Sequence, residues 1–164
     1  SAVTHLISNG YRRIGAFTGP PGCLNFVNRY KGYLAALRDA GIKADPSIVF
    51  PETIIRDKGY RNAKKALEAG CDAIWSSGAY SALGAVQYLK ERGIRIPEDF
   101  GITGTSNESF TSLISPSLTS TDQHPVEMGR LAAEAMLRLL ENRTEGEHIT
   151  VPTDLLIRES SSRN

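Results

Sequence analysis

Three short segments of this sequence carry residue types that bind small molecules. They are residues 18–22 (TGPPG), 76–78 (SSG) and 104–107 (GTSN), and they are built mainly from glycine, hydroxyl and amide residues. Such groups hydrogen-bond neutral polar ligands, and a helix N-terminus adds a preference for anions. Tight turns and helix N-caps need the same residues, so each segment taken alone also has a purely structural explanation.

Two larger side chains stand next to these segments. Arg29 lies early in a predicted helix behind the first segment, where its guanidinium could pair with a hydroxyl pair or a carboxylate. An ordinary solvated helix arginine is the alternative. Trp75 immediately precedes the second segment and could stack on a ligand ring, or simply belong to the core or to an interface. The three histidines, His5, His124 and His148, lack metal-ligand spacing, so no metal site is expected.

Catalytic motifs are missing from the sequence. It contains no G-x-S-x-G, no P-loop and no dinucleotide-binding G-x-G-x-x-G, and its acidic residues show no pattern of pairing. We therefore expect neither an enzyme nor a bound cofactor. A flavodoxin-like enzyme domain, which is a further alternative, is not supported, because the sequence contains no cofactor-binding loop.

The elements that would position these residues alternate along the chain. Helical periodicity predicts helices over 27–40, 57–69, 81–92 and 126–141, the first three of them followed by glycine. Short apolar runs predict strands over 13–17, 48–50, 73–75, 100–103, 118–121 and 155–157. This alternation is typical of a doubly wound α/β fold with a parallel sheet and helices on both faces. Because ligands gather at the carboxyl ends of such strands, the fold would bring the three segments to one edge.

Composition places the chain among soluble globular domains. Of its 164 residues, 40% are hydrophobic and 23% charged, with 19 Lys and Arg against 18 Asp and Glu. This length suits one domain or a piece of one, and the net charge of +1 gives no sign of a nucleic-acid surface. No apolar window reaches eighteen residues and residues 1–10 do not form a signal peptide, so no membrane partner is expected.

Two further expectations concern the cysteines and the polar segments. Cys23 and Cys71 are too few for a disulfide framework, and we expect free thiols in a reducing compartment. Residues 143–147 are expected to form a polar linker, and residues 159–164 a solvated, frayed tail.

The order of several motifs resembles the lactose-repressor-type (LacI/GalR) family of transcriptional regulators. The matching motifs, in unbroken order over essentially the whole chain, are His5-Leu6-Ile7-x-x-Gly10-Tyr11-Arg12-Arg13-Ile14, Arg29-x-x-Gly32-Tyr33, Ala82-x-Gly84-Ala85, Gly93-x-x-Ile96-Pro97-Glu98-Asp99, Gly104, Pro116-x-Leu118-Thr119-Ser120-Thr121, Met128-Gly129-x-x-Ala132 and Leu156-Ile157-Arg158-x-Ser160. Each motif alone is weak, whereas their order and spacing together are specific.

The resemblance implies a two-lobed, periplasmic-binding-protein-like type I fold, of which this chain holds mainly the second lobe. Residues 10–121 would form that C-terminal lobe. Residues 122–147 would supply a crossing and a helix of the N-terminal lobe, and residues 148–164 the return strands and tail, with a strand near 148–151. The DNA-binding helix-turn-helix would lie outside this chain. The apolar face of the helix in 122–147 would be covered either by a second copy or by its own lobe.

The same resemblance implies a function. The chain would be the effector-sensing and dimerisation domain of a cytoplasmic repressor, in which a small molecule in the interlobe cleft modulates operator binding. Its partners would be that effector, a second copy of the chain and, through the separate N-terminal domain, operator DNA. Tyr80 and Gln87 on the third predicted helix mark a candidate dimer face, or else pack on the sheet. A periplasmic sugar-binding protein of an uptake system is the alternative, although the 97–99 turn favours the regulator.

The resemblance also carries over to individual residues. Arg29 matches the family's effector-binding arginine, and Gly78 stands where the family often has asparagine. Ser106 replaces the aspartate that normally binds sugar hydroxyls, while Thr105 replaces an aromatic residue and Ala79 a second aspartate. Loss of these carboxylates disfavours a neutral hexose or pentose and favours an anionic effector such as an organic acid or sugar phosphate. A site that no longer binds ligand is the alternative.

Two more residues complete the predicted effector site. Trp75 and Gln123 are expected to contribute contacts alongside Arg29, Gly78 and Ser106.

Overall fold

A single sheet organises the structure, a computed structural model that describes residues 1–142 and 148–163. Its strands are β1 (Ile14–Phe17), β2 (Val49–Phe50), β3 (Ala73–Ser76), β4 (Gly101–Thr105), β5 (Thr119–Asp122) and β6 (Asp154–Leu156). They lie in the order β2-β1-β3-β4-β5-β6. The pairs among β1 to β5 are parallel, and β6 is antiparallel to β5. The predicted α/β class and its mostly parallel sheet are confirmed, with each strand within two residues of its predicted position.

The helices are α1 (Ala2–Ser8), α2 (Leu24–Asp39), α3 (Arg56–Glu68), α4 (Ala79–Glu91) and α5 (Pro125–Asn142). The four predicted helices are confirmed within three residues, because each repeats apolar residues at the helical period. The sequence did not predict α1, which has seven residues and no side-chain cap. Its helix is stabilised by burial of Ala2, Val3 and Leu6 against the sheet. No helix in the described residues is long and apolar enough to span a membrane.

Helices cover both faces of the sheet because alternate strand residues point to opposite sides. Ile14 and Ala16 of β1 pack with α1 and α2, whereas Phe17 packs in the cluster under α3 and α4. The helices α3 and α4 approach each other at two glycines. A Cβ on Gly59 would lie 2.0 Å from the carbonyl oxygen of Ser81, and one on Gly84 2.0 Å from that of Arg56. These positions therefore admit only glycine.

The longest helix, α5, has an exposed apolar surface. Its exposed apolar residues are Val126, Met128, Met136, Leu137, Leu139 and Leu140. Val126 and Leu140 are 87% and 70% exposed, so the amphipathic helix predicted from sequence forms without burying its apolar face.

Two predictions for the end of the chain are wrong. No strand forms at 148–151, and the return strand is β6. The segment 159–163 is not a solvated tail, because Ser160 and Ser161 are fully buried. Ser160 Oγ donates to the carbonyl of Ile102 at 2.7 Å and accepts from the backbone N–H of Thr119 at 2.9 Å. The Ser160 hydroxyl thus bridges β4 and β5, while that of Ser161 pairs with Thr119 Oγ1 at 2.6 Å and with His5 Nε2 at 2.8 Å, which explains how a polar segment is buried. The predicted linker at 143–147 and Asn164 lie outside the described residues.

Candidate functional site

The second and third candidate segments, 76–78 and 104–107, meet at the carboxyl edge of the sheet, beside a small cavity. The cavity measures ≈ 220 Å³ and is bordered by Arg29, Trp75, Thr105, Thr121 and Gln123. Residues 1–3, at the start of α1, close another side of it. This is the edge of the sheet at which the sequence predicts ligand binding.

Gln123 joins side chains from two other parts of the chain. Its Oε1 accepts from Arg29 Nη2 at 3.2 Å and from Ser106 Oγ at 3.4 Å. Arg29 also donates through Nη1 to the carbonyl oxygen of Ser77 at 2.9 Å. The arginine comes from the second turn of α2, Ser106 follows β4 and Gln123 follows β5. Three of the five predicted site residues are therefore brought together by direct hydrogen bonds.

Arg29 is a partly buried cation. Burial lowers the pKa of its guanidinium from the ordinary value, and the group also lies 5.7 Å from the centroid of the Phe26 ring. Among the described residues, no carboxylate approaches its nitrogens within 4.0 Å. Its protein partners are neutral oxygens, so the site retains a net positive charge.

Trp75 forms a rigid wall of the cavity. The indole is 5% exposed and stacks on Tyr33 with the ring centroids 5.7 Å apart. Tyr33 stacks in turn on Tyr30, at 5.8 Å, and its hydroxyl donates to the carbonyl of Ile14 at 2.8 Å. This stack of three rings holds the tryptophan in place. Trp75 therefore belongs to the core and also borders the cavity.

Gly78 lies outside the cavity. The residue is buried, and a Cβ built on it would lie 2.5 Å from Cδ1 of Ile54. Its carbonyl oxygen already accepts from Ser76 Oγ at 2.8 Å, Ser81 Oγ at 3.1 Å and the N–H of Ala82 at 3.2 Å. Gly78 thus begins α4 beneath Ile54, and its carbonyl is fully occupied within the protein. The contact with Ile54 was not predicted, because an aliphatic residue in a loop gives no sign of what it packs against.

The loop after β4 is fixed in an unusual backbone conformation. Ser106 has φ +74°, a left-handed value that is uncommon outside glycine. Its N–H donates to the carbonyl of Thr121 at 3.1 Å, and its own carbonyl accepts from Ser120 Oγ at 2.9 Å. Both bonds come from β5, so the neighbouring strand holds Ser106 in the orientation that meets Gln123.

The adjacent residue, Asn107, connects that loop to the strand end. Its Nδ2 donates to Asp122 Oδ2 at 3.0 Å, while Asp122 Oδ1 accepts from the backbone N–H of His124 at 2.8 Å. The latter bond and that from Asn107 lower the pKa of Asp122. Asp122 was not predicted, since an aspartate at a strand end has no distinctive spacing.

The first segment, 18–22, does not border the cavity and instead leads the chain into α2. Gly19 has φ +81°, and a Cβ there would lie 2.7 Å from the Phe26 ring. The glycine-rich composition of segment 18–22 is therefore explained by the turn that it forms before α2.

A larger groove of ≈ 1050 Å³ lies between the end of α4 and the C-terminal segment. Several of its polar side chains are already engaged. Lys90 Nζ donates to the carbonyl of Ser115 at 2.7 Å, Arg95 pairs with Asp99 at 2.6 Å, and Glu159 accepts from the N–H of Ser117 at 2.7 Å.

Comparison with known proteins identifies the family. The sequence profile of the periplasmic binding protein-like domain matches residues 3–161. The chain belongs to this family. The resemblance to lactose-repressor-type regulators is also confirmed, since the curated relatives include the transcriptional repressor CytR of Escherichia coli, with 32% identity over 98% of this chain and 48% of CytR.

Solved structures of the family give the same result. The transcription regulator CcpA of Lactococcus lactis superposes with a TM-score of 0.93 at 26% identity, over 98% of this chain and 60% of CcpA. The regulator CelR in its cellobiose complex gives a TM-score of 0.90 at 28% identity, over 96% of this chain and 49% of CelR. These relatives are regulators, which is consistent with a non-enzymatic domain. The chain spans about half the length of the curated relatives it matches.

Proposed function

We propose that this chain is the effector-sensing part of a cytoplasmic transcriptional regulator. The observation that carries the proposal is the convergence of Arg29 and Ser106 on Gln123, beside a cavity at the carboxyl edge of the sheet. This is the edge at which open α/β sheets bind ligands. Trp75 supplies the apolar wall. In this proposal a small polar metabolite binds here.

The proposed domain division follows the exposed helix. Residues 10–121 form the C-terminal lobe, 122–147 a crossing and a helix of the other lobe, and 148–164 the return. The exposed apolar face of α5 supports this division, since such a face is normally covered by another element. The two crossings lie side by side, because His124 Nε2 and Asp154 Oδ2 are 2.9 Å apart.

Operator binding is assigned to a separate DNA-binding domain. Ligand in the cleft would change the relative position of the lobes and thereby the DNA affinity of a dimer. The relatives named above are regulators, which supports this function over that of an uptake receptor.

An apolar patch supports dimerisation. Tyr80 on α4 packs against Phe110 with ring centroids 5.0 Å apart, and Leu113 follows in the same loop. Tyr80 is 53% and Leu113 81% exposed. We call Tyr80, Phe110 and Leu113 the α4 patch, and we propose it as the homodimer face. Gln87, on the same helix, is exposed and donates to Glu91 Oε1 at 2.9 Å.

Nuclear magnetic resonance tests the binding site directly. The ¹⁵N-labelled chain is titrated with sugars, nucleosides and organic acids, one at a time. We expect at least one compound to shift the amide signals of Ser77, Ser106 and Gln123 saturably. Saturable binding confined to another surface, or the absence of binding by all compounds, would contradict the proposed function.

A further inference from the structure

The groove between the end of α4 and the C-terminal segment combines an apolar surface with an excess of positive charge. Its volume of ≈ 1050 Å³ lies at the upper end of the ~300–1,000 Å³ usual for sites that hold drug-sized ligands. The described residues that line it include the cations Lys90, Arg95, Arg158 and Arg163 and the carboxylates Glu98 and Glu159. The whole chain, in contrast, has a net charge of only +1.

The apolar surface of the groove is formed mainly by three isoleucines, Ile94, Ile96 and Ile157. Ile157 directly follows β6 and is 58% exposed. Ile94 and Ile96 are half-buried and pack on the core of the sheet. An exposed isoleucine alone is ordinary on a protein surface, but these three share one groove. An apolar side chain that enters the groove therefore removes apolar surface from water on both sides.

Arg163 is held beside this apolar surface by an aromatic ring. The central carbon of its guanidinium lies 3.9 Å from the centroid of the Tyr11 ring. Tyr11 is fully buried, and its hydroxyl donates to the carbonyl of Pro97 at 2.6 Å, so the ring is fixed at the edge of the groove. A guanidinium held over a ring keeps N–H donors for a further partner.

Two more cations of the groove, Lys90 and Arg158, have neutral partners. Lys90 Nζ donates to the carbonyl of Ser115 at 2.7 Å, and Arg158 Nη1 donates to that of Leu118 at 2.7 Å. The other groups that accept from the Arg158 guanidinium are side-chain oxygens of neutral residues. Within the described part of the chain, no carboxylate lies within 4.0 Å of the nitrogens of Lys90, Arg158 or Arg163.

The negative charges of the groove do not balance these cations. Arg95 is already paired with Asp99, through bonds of 2.6 and 2.8 Å. Glu159 accepts from the N–H and the hydroxyl of Ser117 at 2.7 and 3.0 Å, so its oxygens are partly occupied. Glu98 is exposed. Three cations without an ion pair thus stand against two carboxylates, and the excess charge is positive.

We propose that this groove binds an acidic, extended peptide segment of a partner protein, which places an apolar side chain against Ile157 and a carboxylate on Arg163. The positive charge selects the sign of the peptide, and the isoleucines supply the burial that an exposed ion pair lacks. No described residue that lines this groove also borders the cavity around Arg29. The inference therefore goes beyond the proposed function and can fail without it.

Three acetylated and amidated hexapeptides separate charge from apolar burial. EELLEE, the charge-reversed KKLLKK and EEGGEE, which lacks apolar side chains, are each titrated into the ¹⁵N-labelled chain at constant ionic strength. We expect EELLEE to shift the amide signals of Ile94, Ile96 and Ile157 saturably. Its affinity should be about tenfold or more above that of KKLLKK and about threefold or more above that of EEGGEE. Binding of either other peptide as tight as that of EELLEE, or no saturable shift at these amides, would overturn the inference.

A matched pair of apolar variants assigns the binding to the groove. Ile157→Ser removes its exposed isoleucine, whereas Leu24→Ser removes an apolar side chain that is 70% exposed at the start of α2. We expect the affinity for EELLEE to fall about threefold or more in the first and to stay unchanged in the second. Equal affinities in the two variants would place the peptide on another surface.

Two charge variants should act in opposite directions. Arg163→Gln is expected to weaken binding of EELLEE about threefold, whereas Glu98→Gln should strengthen it about twofold. Damage to the fold does not account for stronger binding, and the ¹⁵N spectrum shows whether each variant is folded. Arg38→Gln, which removes an exposed charge from α2, is the control. If Arg163→Gln unfolds the chain, the exposed Lys90 is changed to glutamine instead, and unchanged affinity in the charge variants contradicts the proposal.

A second copy of this chain is the competing occupant of the groove. Self-association there would shift the amides of Ile94, Ile96 and Ile157 as the concentration of the free chain is raised. We expect these three signals to be independent of concentration. Shifts that centre on them in the absence of peptide would overturn the inference in favour of self-association.

Discussion

Arg158 Nη2 donates to Asn107 Oδ1 at 2.7 Å and so ties the end of the chain to the loop that carries Ser106. Its Nη1 donates to the carbonyl of Leu118, also at 2.7 Å. Asn107 in turn donates to Asp122, at the end of β5. The C-terminal segment is therefore part of the framework of the candidate site, although it is distant from the site in sequence.

Removing the Arg158 guanidinium should destabilise this framework. Arg158→Met loses two short charge-assisted hydrogen bonds, and we expect the free energy of unfolding to fall by about 2–3 kcal/mol. Urea unfolding measures the loss. The matched variant Arg61→Met loses a single exposed bond of 3.4 Å and should change stability by less than about 0.5 kcal/mol. Equal stabilities for the two variants would show that the Arg158 network contributes nothing.

The contact between Ile54 and Gly78 can be measured with a double-mutant cycle. Gly78 has φ −153° and ψ 142°, which any residue adopts, so Gly78→Ala is opposed mainly by the 2.5 Å approach to Ile54. We expect a loss of about 1–2 kcal/mol from this overpacking. In the Ile54→Ala background the same change should cost much less. Gly22→Ala, which meets open space, is the control, and an additive cycle would disprove the contact.

Stability should depend on pH through His5. Its Nε2 lies 2.8 Å from Ser161 Oγ, and burial lowers the pKa of this imidazole below its ordinary 6.5. Because the folded-state pKa is depressed, His5 contributes stability that is complete above pH 6.5 and is lost as the pH falls through the folded-state pKa. Unfolding in urea at several pH values should show this decline, with a shallower one in His5→Gln. The same slope in both proteins would exclude His5 as its source.

The regular elements were predictable because their signals are local. Each of α2 to α5 repeats apolar residues at the helical period, and the strand runs are short and bounded by glycine or polar residues. The prediction for the segment 159–163 was wrong because its serines resemble solvent-exposed residues, whereas the Ser160 hydroxyl pairs with the backbones of β4 and β5 and the Ser161 hydroxyl with the side chains of Thr119 and His5. Hydrogen bonds between residues that are about forty or more positions apart leave no pattern in the sequence.

In the candidate site, too, some features were predictable from the sequence and others depend on long-range packing. Arg29, Trp75, Ser106 and Gln123 were predicted and border the cavity or bond to a residue that does. The position of Gly78 beneath Ile54 was not predicted, because it depends on where the loop after β2 folds back. Tertiary packing therefore decides which of the small residues lie near the cavity and which are buried beside it.

The α4 patch gives the last prediction. Because Leu113 is 81% exposed beside the Tyr80–Phe110 pair, Leu113→Glu places a charge on the patch without disturbing the core. If the patch is the homodimer face, burying that charge against an apolar partner is costly, and the dimer should dissociate. Sedimentation equilibrium measures the change in mass. Leu24→Glu alters a residue that is 70% exposed at the start of α2, and it should leave the mass unchanged. A Leu113→Glu protein that remains a dimer would place the interface elsewhere, with the exposed face of α5 as the next surface to alter.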